Sequence, residues 1–534
     1  MIECNTCGTT SRVKNNNAVA EELERLVNLF CGTFQEQGCP EADCENYGIL
    51  LDQAPSEYRK FGKTGTPKDP PHKRLQRWQC KKCKTTFSQK SRIHRQKKSY
   101  LNGRILDCLT GKMPLSRIAS RLNISPQTVY DKIDFLAEQC RRFSADRDRK
   151  IAQLPPRRWI ISTDRQDINV NWPHRLLRAG IVVGQLVTVD RNSRYILAVH
   201  SQFDSAVDPE EHERRFMTAG DLTRRKADRV NGRIWSEEDY QRSLAPDAQR
   251  NAASDQAARR ALVAAGLANE DVPPEAQPSA DKQLPLWGGL IHLDVLQYAH
   301  MLFVRRLLGR SVASLLYSVD EDNGLKGACL AAFADLIRRR RTEVATVTFN
   351  KNANSDEKRA HAMVVAALLR PDRDAMPLFP RWMVEEVLIA NDSIRRLPAE
   401  PRERAKVLAK SWFEYAYSSK AEPEKRVKLA TGGLSLDRRG IARALRQASM
   451  HPSDRVMMMM RRWASMLERG IATPRNDNRI WSLYAPYDPA MVEKIATIVR
   501  FYYNYMETGN DGKTPAMRLG LAKGRIYHRD LVRF

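Results

Sequence analysis

From residue 157 to residue 350 the apolar pattern changes period in an order that few folds can satisfy. "RRWIISTDRQDINVNW" (157–172) predicts a strand ending near Asp164, and "GIVVGQLVTVDRNSRYILAVHSQFD" (180–204) predicts two more, joined at "DRNS". Farther on, "LDVLQYAHMLFVRRLLG" (293–309) has helical spacing and "SVASLLYSVD" (311–320) reads as a strand running into acids. "NGLKGACLAAFADLIRRRR" (323–341) is then a helix and "EVATVTFN" (343–350) a strand. Three strands in meander order followed by strand–helix–strand alternation predict a mixed sheet.

That order is the order of an RNase H-like domain, in which the ends of strands one and four lie side by side. Asp164 and Asp320 would then meet. The chain carries 89 Lys and Arg against 63 Asp and Glu, a net charge of +26. Two carboxylates forced together repel unless cations neutralise them, and Mg²⁺ or Mn²⁺ bound through oxygen ligands meets that need. Two such ions about 4 Å apart activate an attacking oxygen and stabilise a leaving one at a phosphodiester. Asp320 to Asp322 also admit a plainer reading, as a cap on the following helix. Asp167 and Asp322 are the alternatives for the two acids.

The basic excess exceeds what solubility needs and points to a polyanion, with nucleic acid favoured over a membrane. No window reaches the roughly 18 uninterrupted apolar residues of a membrane span, and "MIECNTCGTT" is not a signal peptide. The expected location is a cytoplasm, in association with the nucleoid. At 534 residues, 42% of them hydrophobic, the chain is a multidomain α/β protein.

Seven of the ten cysteines fall at or before residue 83, which favours metal over disulfides in a chain without a secretory signal. "CPEADC" (39–44) and "WQCKKCKTTF" (78–87) supply Cys39, Cys44, Cys80 and Cys83 as two thiolate pairs for one structural Zn²⁺. Cys4 and Cys7 form a further CxxC and a candidate second zinc site, with Cys31 or His72 as candidate partners. Cys108, Cys140 and Cys329 sit in apolar helical patterns and read as core. Between Arg59 and Arg104 there are sixteen Lys or Arg and one acid, Asp69, interleaved with aromatic residues. A run this lopsided around a zinc knuckle, including Lys81, Lys82 and Lys84, predicts phosphate contacts. Next comes "MPLSRIASRLNISPQTVYDKIDFLAEQC" (113–140): a first helix, a turn at "NIS", and a second helix capped by Ser125 with Pro126 at its first position. This predicts a helix-turn-helix whose second helix offers Gln127, Thr128, Tyr130 and Lys132 to a major groove.

The domain plan is therefore a basic zinc-binding module (1–98), a helix-turn-helix domain (99–150), and the first part of the RNase H-like core (157–350). Residues 205–284, with "EDVPPEAQPSADKQLP", read as an insertion or linker inside that core. A helical insertion (351–450) and the last part of the core with a C-terminal tail (451–534) follow. The third acid is expected from a late helix. "SDRVMMMMRRWASMLERGIATPRNDNRIW" (453–481) is well patterned, its Met run reads as core, and Glu468 stands at its end. Glu385, Glu386 and Glu414 are competing acids with ordinary amphipathic explanations.

Finally, "IVRFYYNYMETGNDGKTPAMRLGLAKG" (498–524) resembles the DDE transposases and retroviral-type integrases, whose catalytic domains commonly end in a helix with a Tyr/Trp-Asn step, a polar loop and a "KTPA" box followed by "GL". Phe501, Tyr502, Tyr503 and Asn504, with Lys513, Thr514, Pro515 and Ala516, carry the resemblance. "ER" at 468–469 with a downstream Arg looks like the family's third-acid helix, and the N-terminal cysteines and helix-turn-helix resemble the DNA-binding ends of bacterial insertion-sequence transposases. The resemblance spans 1–204, 284–350 and 453–525; residues 205–283 and about 355–450 depart from the compact family domain.

The resemblance implies that Asp164, Asp320 and Glu468 hold two Mg²⁺ or Mn²⁺ ions, that water cuts at the element end, and that the freed 3′-hydroxyl attacks target DNA. It also implies a homo-oligomer on double-stranded DNA, with the zinc module and helix-turn-helix reading the element ends. A non-catalytic zinc and helix-turn-helix regulator derived from a transposase, and a metal-dependent nuclease on the same fold, are the alternatives.

Overall fold

The computed structural model describes residues 2–3, 10–11, 14–31, 38–41, 43–47, 49, 51, 54–65, 76–88, 96–171, 180–243, 283–468, 471–472, 480–481 and 484–533. Cys4, Cys7 and His72 lie outside the described residues. Helix α1 (Asn16–Cys31) precedes a small antiparallel sheet of β1 (Tyr58–Lys63), β2 (Gln76–Cys80) and β3 (Thr86–Ser88). Three helices follow: α2 (Asn102–Thr110), α3 (Leu115–Leu122) and α4 (Pro126–Asp148). The turn between α3 and α4 forms where Asn123 takes the left-handed backbone (φ 50°), and Ser125 then accepts the Thr128 amide at 3.2 Å to cap α4.

The large sheet opens with β4 (Arg157–Val170), β5 (Ile181–Asp190) and β6 (Ile196–Ser201), antiparallel in sequence order. Helices α5 (Pro209–Thr218) and α6 (Leu293–Leu308) lead to β7 (Val312–Val319), and α7 (Asn323–Ala332) with α8 (Ala334–Arg338) leads to β8 (Thr342–Thr348). β7 lies parallel to both β4 and β8. The segment after β8 contains α9 (Ser355–Ala375), α10 (Arg381–Leu388), α11 (Pro401–Lys410), β9 (Phe413–Glu414), β10 (Arg426–Leu429) and α12 (Arg438–Gln447). Helices α13 (His451–Trp463) and α14 (Ala490–Phe501) close the fold. The seven strands run in the order β9-β10-β8-β7-β4-β5-β6.

Period-two alternation sends successive side chains of the central strands to opposite faces. Trp159, Ile161, Leu315, Tyr317 and Val319 enter one apolar core, which also contains residues of α2, α3, α4, α6, α13 and α14. Ile160, Leu316, Ala345 and Val347 face the other core, built from α12, β10 and neighbouring segments. Buried on both faces, these strands read as near-continuous apolar runs. The helices expected as a separate module over 99–150 thus share their core with the sheet.

Three expectations change. The strand at 157 runs past Asp164 to Val170 because its pairing with β5 continues to Val170↔Ile181. Residues 205–243, expected as insertion or linker, are folded: Asp208 caps α5, Asp221 accepts the amides of Val230 and Asn231, and Arg229 forms a two-pronged ion pair with Asp239. Residues 244–282 lie outside the described residues. The insertion expected to be helical also contributes β9 and β10, because β10 pairs antiparallel with β8 and prolongs the sheet. Among the described residues, no helix is long and apolar enough to cross a membrane.

Candidate active site and candidate metal centre

β7 pairs with β4 up to Val319↔Thr163, and both chains continue into an aspartate. Asp164 and Asp320 are therefore the next positions in register at the point where β7 stops. Parity puts Ile160, Ser162 and Asp164 on the same face as Leu316, Ser318 and Asp320, one residue pair beyond the two serines. Those serines seat the chain that leads into α13: Ser318 Oγ accepts the Ser449 amide at 3.2 Å, and Ser162 Oγ accepts the Ser453 amide at 3.1 Å. Buried Glu422, from the insertion, holds the same turn by accepting from Ser449 Oγ, the Met450 amide and the His451 amide.

So anchored, the first turn of α13 delivers Asp454 to Asp164, with which it hydrogen-bonds. Burial, then the charge and hydrogen bond of Asp164, push the Asp454 carboxyl up to about 8. Burial also raises Asp164. The neighbouring Lys351 opposes the negative charge of both carboxyls. Asp320 accepts from Lys351 Nζ at 2.6 Å and from the Glu321 amide at 2.8 Å. The Lys351 ammonium is raised: burial opposes its charge, but Asp320, Asp164 and Asp454 together outweigh that.

The other acids are engaged elsewhere. Asp322 caps α7 by accepting the Gly324 and Leu325 amides and takes a further bond from Gln297, so the capping role belongs to Asp322 and leaves Asp320 free of it. Asp167 is gripped by Arg165 at 2.8 and 3.0 Å. Glu468, the expected third acid, is placed beyond the far end of α13, whose 13 residues span about 20 Å, and is paired with Lys112 at 3.0 Å. Glu385 binds Arg381 and Tyr415, Glu386 binds Arg446, and Glu414 lies exposed in β9. Sequence reasoning missed Asp454. Its signal was present: an acid three residues before Met457 and six before Met460, on the stripe that faces the core.

Beside this cluster a cavity of about 390 Å³ is lined by Arg191, Arg194, Arg381, Lys425, Arg446 and Arg455 against Glu385 and Glu422. Both acids are consumed by the contacts above. Lys425, buried and pulled down to about 8 mainly by desolvation, donates to the carbonyls of Arg446 and Ala448. The cavity is thus a concentration of positive charge within one helical turn of Asp454.

The four cysteines meet against the small sheet, Cys80 at the end of β2 and Cys83 in the turn that follows it. Cys39 Sγ lies 3.3 Å from Cys83 Sγ and Cys44 Sγ 3.8 Å from Cys80 Sγ, and all four sulfurs lie within 4.8 Å of one another. Tetrahedral zinc with sulfur ligands at about 2.3 Å requires sulfurs roughly 3.8 Å apart, so this group could hold a metal such as zinc. Asn46 adds donors to Cys44 and Cys80 sulfurs at 3.4 and 3.3 Å, as an outer shell would. Thr85 hydroxyl and amide hold the Cys83 thiol down to about 6, whereas burial pushes Cys39 up to about 12. Among the described residues this is the only group of three or more ligand residues so tightly gathered; the three carboxylates are spread more widely.

The other expected contact residues divide. Lys81, Lys82 and Lys84 are exposed on the knuckle, Lys82 paired with Glu45. Gln127 and Tyr130 are exposed on α4, and Thr128 is half-buried against Ser125. Lys132, expected in a groove, is 3% exposed and donates to the Lys97 carbonyl at 2.9 Å, because its position on α4 falls beside Ile133 on the inward face. The "KTPA" and Tyr-Asn positions carry structure: Thr514 caps the helix Pro515–Leu519, and Asn504 pairs with both the amide (2.9 Å) and the carbonyl (3.0 Å) of Ile196. Comparison with protein-family models finds no matching family, and comparison with curated proteins finds no match.

Proposed function

We propose that the chain is a DNA transposase of the DDE type, with an RNase H-like core that cuts and joins DNA at a divalent-metal site formed by Asp164, Asp320 and Asp454. The observation that carries the reading is the position of Asp164 and Asp320 at neighbouring places on two parallel strands, with Asp454 hydrogen-bonded to Asp164, in a chain of net charge +26. The strand order, β8-β7-β4-β5-β6 with two edge strands added, agrees with the same core. Asp454 replaces Glu468 as the third acid.

The donor set suits a hard cation: carboxylate oxygens only, with the Asp454 carboxyl pushed up by burial and by the charge of Asp164. Bound there, Mg²⁺ or Mn²⁺ would supply Lewis-acid activation of the attacking oxygen and charge stabilisation at the leaving one. The chain's own residues do the rest. Glu422, Ser162 and Ser318 fix the turn that carries Asp454, which would hold the cation together with Asp164 and Asp320. The cavity lined by Arg191, Arg194 and Arg455 attracts the phosphates flanking the scissile bond. Lys81, Lys82 and Lys84 with Gln127, Thr128 and Tyr130 contact the element ends, the lysines through phosphates and α4 through bases.

One observation favours a second reading. The Lys351–Asp320 pair already neutralises one acid, as it would in a metal-free DNA-binding regulator. The deciding experiment is Mn²⁺-dependent cleavage and joining of duplexes carrying the parent element's ends, comparing the intact chain with Asp164→Asn, Asp320→Asn, Asp454→Asn and Glu468→Gln at equal DNA occupancy. The transposase reading requires the first three to lose chemistry by at least about a hundredfold and Glu468→Gln to retain it. Binding without cutting in every metal condition leaves the regulator; cutting without joining leaves the nuclease.

A further inference from the structure

The passage from α8 into β8 spells four consecutive arginines, Arg338 to Arg341, and the fold brings more beside them. β7 pairs with β4 from Val312↔Arg157 and with β8 from Leu315↔Thr342, so Arg310 and Arg341 stand just ahead of neighbouring strands, at the end of the sheet opposite Asp164 and Asp320. The last turn of α6 adds Arg306, and the ion pair of Arg305 with Asp335 at 2.7 Å ties that helix end to α8. Arg306, Arg310 and Arg338 to Arg341 are all exposed, and among the described residues none of them lies within 4 Å of a carboxylate.

Two plainer accounts fall short. Cations gather at helix C-termini, but α6 and α8 offer only about half a negative charge each, against six arginines. Nor does the turn itself call for arginine. Arg341 and Arg340 donate their amides to the Leu336 and Ile337 carbonyls, both at 2.8 Å, closing α8 in a turn that puts Arg340 in left-handed backbone at φ 56°. Glycine takes that position without strain, and arginine does not.

We propose that this end of the sheet is a second DNA-binding face, one that holds a duplex through its phosphates without reading its sequence. A protein partner would need an apolar centre, and no large apolar side chain is exposed from residue 300 to residue 350. A row of phosphates needs only positive charge, and the guanidinium fork matches phosphate geometry. The eight residues of β7 set this face about 26 Å from the carboxylates, so the segment held here is separate from the one at the reacting bond. That the polyanion is DNA rests on the function proposed above; the test involves no cleavage.

The test is binding of a fluorescent random-sequence duplex of about 20 base pairs to the full chain, without divalent metal, between about 50 and 200 mM salt. Each phosphate contact contributes about 0.9 to the slope of log affinity against log salt. Arg338→Gln/Arg339→Gln/Arg340→Gly should make that slope shallower by about 2–3 and weaken binding at least about tenfold. Arg370→Gln/Arg373→Gln, which removes exposed arginines from α9, should do neither. Arg340→Gly alone should make the slope shallower by about 1 while melting at or above the wild-type temperature, so that lost binding is not lost folding. Arginine modification by a dicarbonyl reagent, mapped by mass spectrometry, should show Arg306, Arg310 and Arg338 to Arg341 protected by the duplex. An unchanged slope in the triple variant, an equal change in the α9 variant, or protection by poly-glutamate as strong as by duplex overturns the proposal. A chain that binds in this way yet never cuts DNA removes the transposase reading and keeps this face.

Discussion

On the proposed reading Lys351 and a divalent cation compete for the same carboxylate, so removing the lysine should tighten metal binding. Its ammonium lies 2.6 Å from Asp320 Oδ2, with the two side chains 52% and 23% exposed. At that distance a water-like dielectric gives an attraction of about 1.6 kcal/mol. Exposure and the entropy of holding a long side chain reduce the net worth of such a pair to about 1 kcal/mol or less. A cation that must displace Lys351 therefore forfeits up to that amount, and Lys351→Gln should raise affinity roughly three- to fivefold. The assay is titration of the metal-free protein with Mn²⁺, following free Mn²⁺ by electron paramagnetic resonance at pH 7.5, with Asp320→Asn as the variant expected to lose the site. Equal or weaker binding by Lys351→Gln, alongside loss in Asp320→Asn, would refute the competition and make Lys351 a support that orients Asp320.

Asp454 gives a pH prediction. Its folded carboxyl titrates at about 8, while the unfolded side chain ionises near about 3.9, so the folded state keeps a proton that the unfolded chain releases. Stability present at acid pH is lost as pH rises toward 8; in buffer without Mg²⁺ or Mn²⁺, Asp454→Asn should flatten this slope and gain about 1–3 kcal/mol at pH 8 in urea melts. Cys80→Ser, or a strong zinc chelator, should release one metal ion from the four-cysteine group and open residues 54–88 to protease while the helical signal of the rest persists; apparent zinc affinities of about 10–16 kcal/mol leave little structure in such modules without metal. Asn504→Ala should cost about 1–3 kcal/mol in denaturant unfolding, since it removes the buried partner of the Ile196 amide and one of two side-chain donors to its carbonyl, the other being Arg500.

The strand order was legible because each central strand is buried on both faces and announces itself as an apolar run. That Asp164 and Asp320 would lie side by side was legible because each directly follows such a run in the β4–β7 pairing, although β4 continues past Asp164 to Val170. The four-cysteine group that could hold a metal was readable from close pairs alone. Asp454 was harder, because its role depends on where α13 begins against Ser162 and Ser318, contacts 291 and 131 residues distant in sequence from Ser453 and Ser449. The end of the same helix, with Glu468, drew attention through family resemblance, yet an acid at a helix end is free to pair with any nearby cation and here takes Lys112. Lys132 shows the converse failure, a charged residue read as exposed although its helical position faces inward. The strands of the insertion escaped notice because β10 has four residues and β9 two, too short for alternation to register.

The length of α4 couples the two ends of the molecule. Its first turn follows the tight bend at Asn123 and its last residue, Asp148, is ion-paired to Arg500 at 2.8 Å within the core that supports the sheet. Twenty-three residues of unbroken helix span about 35 Å, close to one turn of a DNA duplex, with no hinge along the way. On the proposed reading, α4 acts as a ruler. One residue inserted into it would swing the base-contacting side chains by about 100° relative to the carboxylates, so the interval between the sequence that is read and the bond that is cut is fixed by helix geometry and changes only in whole turns.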